Sequence, residues 1–341
     1  MVFAEPNLIA DIADSAHHYP ADLTPYVSQD IVNNFAPGSL ASCTINGKLY
    51  CLRNDLAQNM LWYNTKLLQQ FGYTVPTTWE DYQALGLKVA KEHPGYVIGA
   101  FGDANAYYEY FIGSGCPTAQ MAGTETVHIN MADSHCTQMA NLLDPLLADG
   151  AIAKFGAFDP GFVKLGTQDK ILMMVAPSWF GQYVFKPTYK TPNGEIVAGL
   201  PLRWSSESTA RTGFWGGAAW AISSHSTNPK GAADIAIWMS TSNAYQGTAP
   251  TFPAYLPAAD TWHRTVANDP FYATDPYPAL KQAAGLIDPS AASVRYDPQS
   301  LFGTVVIPAI LKGQTISSTF PTYQSQLAQL ARASGYTVVT S

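Results

Sequence analysis

Charge is scarce in this chain. Asp, Glu, Lys and Arg make up 13% of its 341 residues, and no Lys/Arg cluster occurs. With a net charge of −7, it offers no footprint for a phosphate backbone or an anionic membrane surface, which excludes nucleic acid as a partner. No run of about 20 apolar residues is present, so no membrane-spanning helix is expected. The seven His are scattered, and the adjacent His17 and His18 cannot share one helix face, so zinc-ligand spacing is missing and no metal is expected. There is no Gly-x-Ser-x-Gly elbow and no Gly-rich phosphate loop, which leaves neither an enzyme nor a cofactor signature.

What is present is apolar and aromatic: 47% hydrophobic residues, with 19 Tyr, 15 Phe and 8 Trp. The length fits one large or two medium domains, and the surface must be rich in uncharged polar groups. The four Cys form two local pairs, Cys43/Cys51 and Cys116/Cys136. Cys43 and Cys51 flank Asn46-Gly47, a strong hairpin signal. A three-residue bulged loop, Asn46-Gly47-Lys48, would set the two Cys directly opposite and allow a disulfide. Cys116 and Cys136 bracket a polar loop, as a second staple would. Two disulfides imply an oxidising compartment outside the cytoplasm; the alternative reading is four reduced, buried thiols. Met1 to Pro6 lacks a basic n-region and an apolar h-region, so the sequence as given is read as having no signal peptide.

Strand and helix signals alternate, which makes the class α/β. Val2-Phe3-Ala4 reads as a short strand, followed by a small-residue helix to about Ser15. Residues 56–63 read as a strand ending in Leu61-Trp62-Tyr63. Thr77 and Glu80 read as a capping box opening a helix with Trp79, Tyr82, Leu85 and Val89 on one face. Tyr96 to Phe101 reads as a strand, Tyr107 to Phe111 as helical, and residues 137–149 as a helix ended by Gly150. Lys170 to Ala176, Val197 to Leu202 and Gly216 to Ser223 read as strands. Asn228-Pro229 opens a helix through Met239, and Pro321 to Ser334 is a helix stopped by Gly335. Trp62, Trp79 and Trp238 are assigned to core.

Six segments, in this order, resemble the solute-binding proteins of bacterial ABC importers, the family that includes maltose-binding protein. Ala21 to Val27, ADLTPYV, is similar to the family's dLtpyv, and Asn46 to Tyr50, NGKLY, to its nGklYg. Trp62-Tyr63-Asn64 resembles lyYNk, and Pro76 to Tyr82, PTTWEDY, resembles PkTWdEl. Met173 to Gly181 looks like the mmi.gpWa strand and loop. Gly216 to Ser223 with Ala232 to Ala236 looks like gglaIs followed by npeaA. Gly303 to Gly313 and Gln324 to Leu330 resemble the family's C-terminal helices. The similarity runs along nearly the whole chain.

This resemblance implies a two-lobed periplasmic-binding-protein-like fold of type II, with the ligand cleft between the lobes. Residues 1–63 and 252–295 would form a discontinuous N-terminal lobe and 64–251 the C-terminal lobe, on which 296–341 would pack. Relatives begin with a strand–helix–strand–helix stretch ahead of the segment equivalent to Val2-Phe3, so the N-terminal lobe is expected to be incomplete. The implied function is capture of a sugar or oligosaccharide by lobe closure and its delivery to the permease subunits of the importer. The implied protein is a monomer outside the cytoplasm, in the periplasm or as a cell-surface lipoprotein, that catalyses nothing.

Sugars present C–H faces and hydroxyl edges, which call for flat aromatic platforms with carboxylates or amides at the rim. Trp179 follows a buried strand and matches the family's cleft tryptophan. Trp215 precedes Gly216, where backbone can approach a ligand. Asp103 lies at a strand end, with Tyr107 and Tyr108 just after it. Asp55 and Gln58 precede the Trp62-Tyr63-Asn64 strand end, and Glu5 and Asn7 follow the first strand. Arg211 and Phe252 complete the set; the competing reading for each polar residue is a surface group or helix cap. A second function reading is a binder of a non-sugar solute such as a polyamine or phosphodiester. A third is a secreted carbohydrate-active enzyme, in which Asp55 and Asp103 face each other across the bond.

Overall fold

The computed structural model describes residues 1–13, 18–288 and 294–340, with the side chains of Pro6 and Asn7 left out. His17 therefore lies outside the described residues. At its centre is the strand Asn59–Asn64, hydrogen-bonded on both edges: antiparallel to Met173–Pro177 with Leu61 opposite Val175, and antiparallel to Ile196–Gly199 with Trp62 opposite Ala198. Side chains alternate along a strand, and here both faces are covered. Leu61 joins one core cluster, and Met60 and Trp62 join another. A strand buried on both faces reads as continuous apolar sequence, as Met60 to Tyr63 does.

The first core packs the helices Trp79–Glu92, Ser134–Ala148, Pro298–Leu311 and Ile316–Ala333 around Tyr82, Tyr107, Tyr110 and Phe111. The second gathers Trp62, Phe180, Phe252 and Trp262 beside a smaller antiparallel sheet. In that sheet Ala219–Ala221 lies between Val2–Ala4 and Leu52–Arg53.

Several local expectations shift for identifiable reasons. The hairpin closes on a two-residue loop, since Ile45 pairs with Lys48 while Asn46 and Gly47 take φ of 51° and 75°. Both central residues are left-handed, as a type I′ turn requires. Cys43 leaves the ribbon in the turn Ala41–Cys43, and this lets it reach Cys51 on the diagonal with 4.9 Å between Cα atoms. Cys116 is bonded to Cys136 across 4.6 Å. The helix Trp79–Glu92 is capped by Thr78, whose hydroxyl accepts from Asp81 N at 3.1 Å, and not by Thr77. Glu80 turns away to Ser205, accepting from its N and Oγ.

Tyr96 to Phe101 makes no single ladder, because Val97 bridges Ile171 while Gly99–Ala100 pairs with Ile152–Ala153. The last helix begins at Ile316, ahead of Pro321. Proline in its second turn forfeits one backbone bond, and burial of Ile316, Thr319 and Phe320 offsets that loss. Trp238 is not core: it is 53% exposed on the helix Pro229–Thr241, with the partly exposed Tyr245 against its ring.

Candidate functional site

A cleft of about 550 Å³ opens beside the smaller sheet. Its lining includes Phe3, Phe158, Trp179, Tyr183, Tyr245 and the segment Ala249 to Thr251. Asn54, Asp55, Gly217 and Ala218 complete its lining. Trp179 leaves the end of the buried strand Met173–Pro177, so its ring is set by the sheet. Its Nε1 donates to the Trp215 carbonyl at 2.8 Å, and the Trp215 ring meets it at 5.2 Å and 70°. The Phe158 ring lies parallel to Trp179 within 9° at 6.3 Å between centroids, and is 52% exposed.

Charge in the cleft is confined and internally compensated. Asp55 is buried, and loss of water pushes its carboxyl up to about 6, against the pull of Arg53. The fully buried Arg53 is brought down to about 10 by the same loss of water. Its Nε and Nη2 donate to the Asp55 and Leu56 carbonyls, both at 3.2 Å. Gly217, at φ 74°, makes room for this arginine: a Cβ there would sit 2.3 Å from Arg53 Nη2 and 2.7 Å from the Leu56 carbonyl oxygen. Asn54 is held by Gln246 Nε2 at 2.8 Å and by Trp220 Nε1 at 3.2 Å.

The residues singled out from sequence are dispersed. Trp179 and Asp55 line the cleft together. Trp215 and Gly216 stand behind Trp179, a Cβ on Gly216 falling 3.5 Å from its Nε1. Phe252 is buried against Trp262, beneath the cleft residue Thr251. Gln58 is fully buried and donates to the Leu280 carbonyl at 2.8 Å. Tyr107 and Tyr108 are core residues, Tyr107 bonded to Thr118 at 2.7 Å and Tyr108 packed on Phe214 at 5.1 Å.

Asp103 is folded into its own loop, accepting from Asn105 N at 2.8 Å under the close approach of Gly156. It thereby supports the loop that presents Phe158. Glu5 is half-buried; burial and then Asp297 raise its carboxyl, while Arg53 draws it down. Arg211 lies elsewhere, paired with Glu207 at 3.0 Å. Asn7 falls on the helix Pro6–Ile12, with its side chain outside the described residues. Phe3, Phe158, Tyr183 and Tyr245 were not singled out. A clue for Phe158 was its setting, an aromatic in the polar turn Gly156-Ala157-Phe158-Asp159, where no core position is expected.

The family model for bacterial extracellular solute-binding proteins matches residues 1–276. The chain belongs to this family. Among solved structures, this solute-binding protein is similar to the galacto-N-biose/lacto-N-biose I-binding protein of the ABC transporter of Bifidobacterium longum, in complex with lacto-N-biose. The TM-score is 0.80 at 19% identity, over 99% of this chain and 83% of that one. It is similar to the ABC-transporter-associated binding protein of Bifidobacterium animalis subsp. lactis Bl-04, in complex with β-1,6-galactobiose, at TM-score 0.81 and 19% identity, over 98% and 85%. The GacH receptor of Streptomyces glaucescens, described with acarbose, matches at TM-score 0.73 and 19% identity, over 98% and 84%. These likenesses show the two-lobed α/β fold. No curated protein sequence matches the chain.

Among the described residues no helix is long and apolar enough to cross a membrane, and no group of His, Cys, Asp and Glu is placed to hold a metal ion.

Proposed function

We propose that this solute-binding protein captures a sugar in the Trp179 cleft and delivers it to the permease subunits of an ABC importer, working outside the cytoplasm as a monomer without catalysis. The observation that carries the reading is the parallel pair of open rings, Phe158 and Trp179, facing a floor with a carboxylate and an amide, Asp55 and Asn54. Flat rings bury the C–H faces of a pyranose, Asp55 accepts from its hydroxyls, and Asn54, whose Oδ1 is taken by Gln246 and Trp220, donates to them through Nδ2. Arg53 beneath Asp55 already balances the carboxylate, which suits a neutral ligand better than a cation. The neighbours described with lacto-N-biose, β-1,6-galactobiose and acarbose support a saccharide.

Calorimetric titration with lacto-N-biose, β-1,6-galactobiose, maltose and, as a contrast, spermidine tests this. Binding of at least one saccharide is expected, with Trp179→Ala lowering its affinity by about tenfold or more, the loss typical of a central aromatic anchor. Binding of spermidine alone, or hydrolysis of a saccharide, overturns the reading.

A further inference from the structure

One exposed aromatic stands just beyond the cleft lining and stacks on another that belongs to it. Trp238, on the helix Pro229–Thr241, stacks on Tyr245 of the helix Asn243–Gln246 with ring centroids 5.5 Å apart and a 38° tilt. Trp238 is 53% exposed and Tyr245 is 38% exposed. Tyr245 itself lines the cleft, so the stack is continuous with it. Tyr183 also lines the cleft, near enough to Asp55 and Tyr245 to feel both electrostatically.

An open Trp–Tyr stack forgoes the burial that makes aromatics useful in a core. The stack is also held firmly. Gln246, next to Tyr245, is fully buried and donates to Asn54 Oδ1 in the cleft floor and to the Met239 carbonyl, next to Trp238. One side chain thus ties both halves of the stack to the cleft. The charges on the Trp238 helix, Lys230 and Asp234, are paired with each other at 2.8 Å, so the platform is locally neutral.

We propose that the Trp238–Tyr245 stack is an outer subsite of the cleft, holding a further ring of a sugar chain longer than a disaccharide. The inference rests on the saccharide reading of the cleft and narrows the substrate class to oligosaccharides whose chain runs from Trp179 out past Tyr245. An aromatic platform fixed before binding costs little ordering entropy, so it adds affinity for each ring it covers.

Titrations with β-1,6-galacto-oligosaccharides and malto-oligosaccharides of two to six units test this, using wild type, Trp238→Ala and Trp238→Phe. In the series that binds, affinity is expected to rise about threefold to tenfold beyond the disaccharide, the gain one aromatic contact brings. Trp238→Ala should abolish that gain and leave the disaccharide unchanged, while Trp238→Phe should restore most of it. Trp238 is exposed, and circular dichroism checks that the variants fold. Chain-length-independent affinity in wild type overturns the subsite, as does a Trp238→Ala titration matching wild type at every length. So does loss of uptake through the permease with all binding constants intact, which makes the stack a protein contact. If no saccharide of any length binds wild type, the saccharide reading fails first.

Discussion

Asp55 and Gly217 hold the charge balance of the cleft between them. The native carboxyl of Asp55 titrates near 6, above its ordinary 3.8, because burial outweighs the attraction of Arg53. Between about pH 4 and pH 6 the folded state keeps a proton that the unfolded state has lost, so this group makes stability fall as pH rises through that window, by at most about 3 kcal/mol. Asp55→Asn should remove that slope, giving a melting temperature less dependent on pH from 4 to 6 than the wild-type value. The same variant should be the more stable protein at pH 7, by up to about 3 kcal/mol, because it escapes the net cost of burying the ionised carboxyl that the Arg53 attraction does not offset. Melting curves of both proteins across pH 4 to 8 check both signs. Gly217→Ala tests the other half. A Cβ there meets the guanidinium and a backbone carbonyl, and φ of 74° is unfavourable for alanine. A loss of about 2 to 4 kcal/mol is expected, read from urea midpoints.

At the scale of elements, the two disulfides differ in the loops they close, with sequence separations of 8 for Cys43–Cys51 and 20 for Cys116–Cys136. Chain-entropy arguments give about 2.5 kcal/mol for the first and about 3 kcal/mol for the second. Replacing Cys116 and Cys136 together by Ala should therefore cost somewhat more stability than replacing Cys43 and Cys51, measured by chemical denaturation of each double variant.

Much of this level was readable from local chemistry. Asn46-Gly47 specifies its own turn, Asn228 caps its helix through Gly231 N at 2.9 Å, and Gly335 takes φ 85° beyond the last helix. What local chemistry did not reveal was competition between neighbours. Thr77 and Thr78 are equally able to cap, and Thr78 takes the position because its backbone pairs with Arg203, 125 residues away. Tyr96 to Phe101 has the composition of a strand but changes partners midway, which depends on where Ile152 and Ile171 lie.

For the whole molecule, binding and stability are linked. A ligand held only by the native state stabilises it by about 2.7 kcal/mol at a hundred times its dissociation constant. A saccharide that occupies the Trp179 cleft should raise the melting temperature by a few degrees at that concentration, and the shift should vanish in Trp179→Ala. A thermal-shift titration of both proteins with the same saccharide checks this.

The α/β class and the cysteine pairing were legible in the amino-acid order because they rest on period, spacing and turn residues, and the family was legible through the resemblance of its motifs in order. The placement of Trp179 and Asp55 beside strands was legible for the same reason. Which aromatics meet solvent was not. Trp62, Trp238 and Tyr107 sit in comparably apolar surroundings along the chain, yet Trp62 and Tyr107 are fully buried and Trp238 stands open beside the cleft. Periodicity shows that a face is apolar; only the packing of distant segments shows whether anything covers it. Phe158 and Trp179 come parallel, and Tyr183 and Tyr245 come to line one cleft, through contacts that no local pattern encodes.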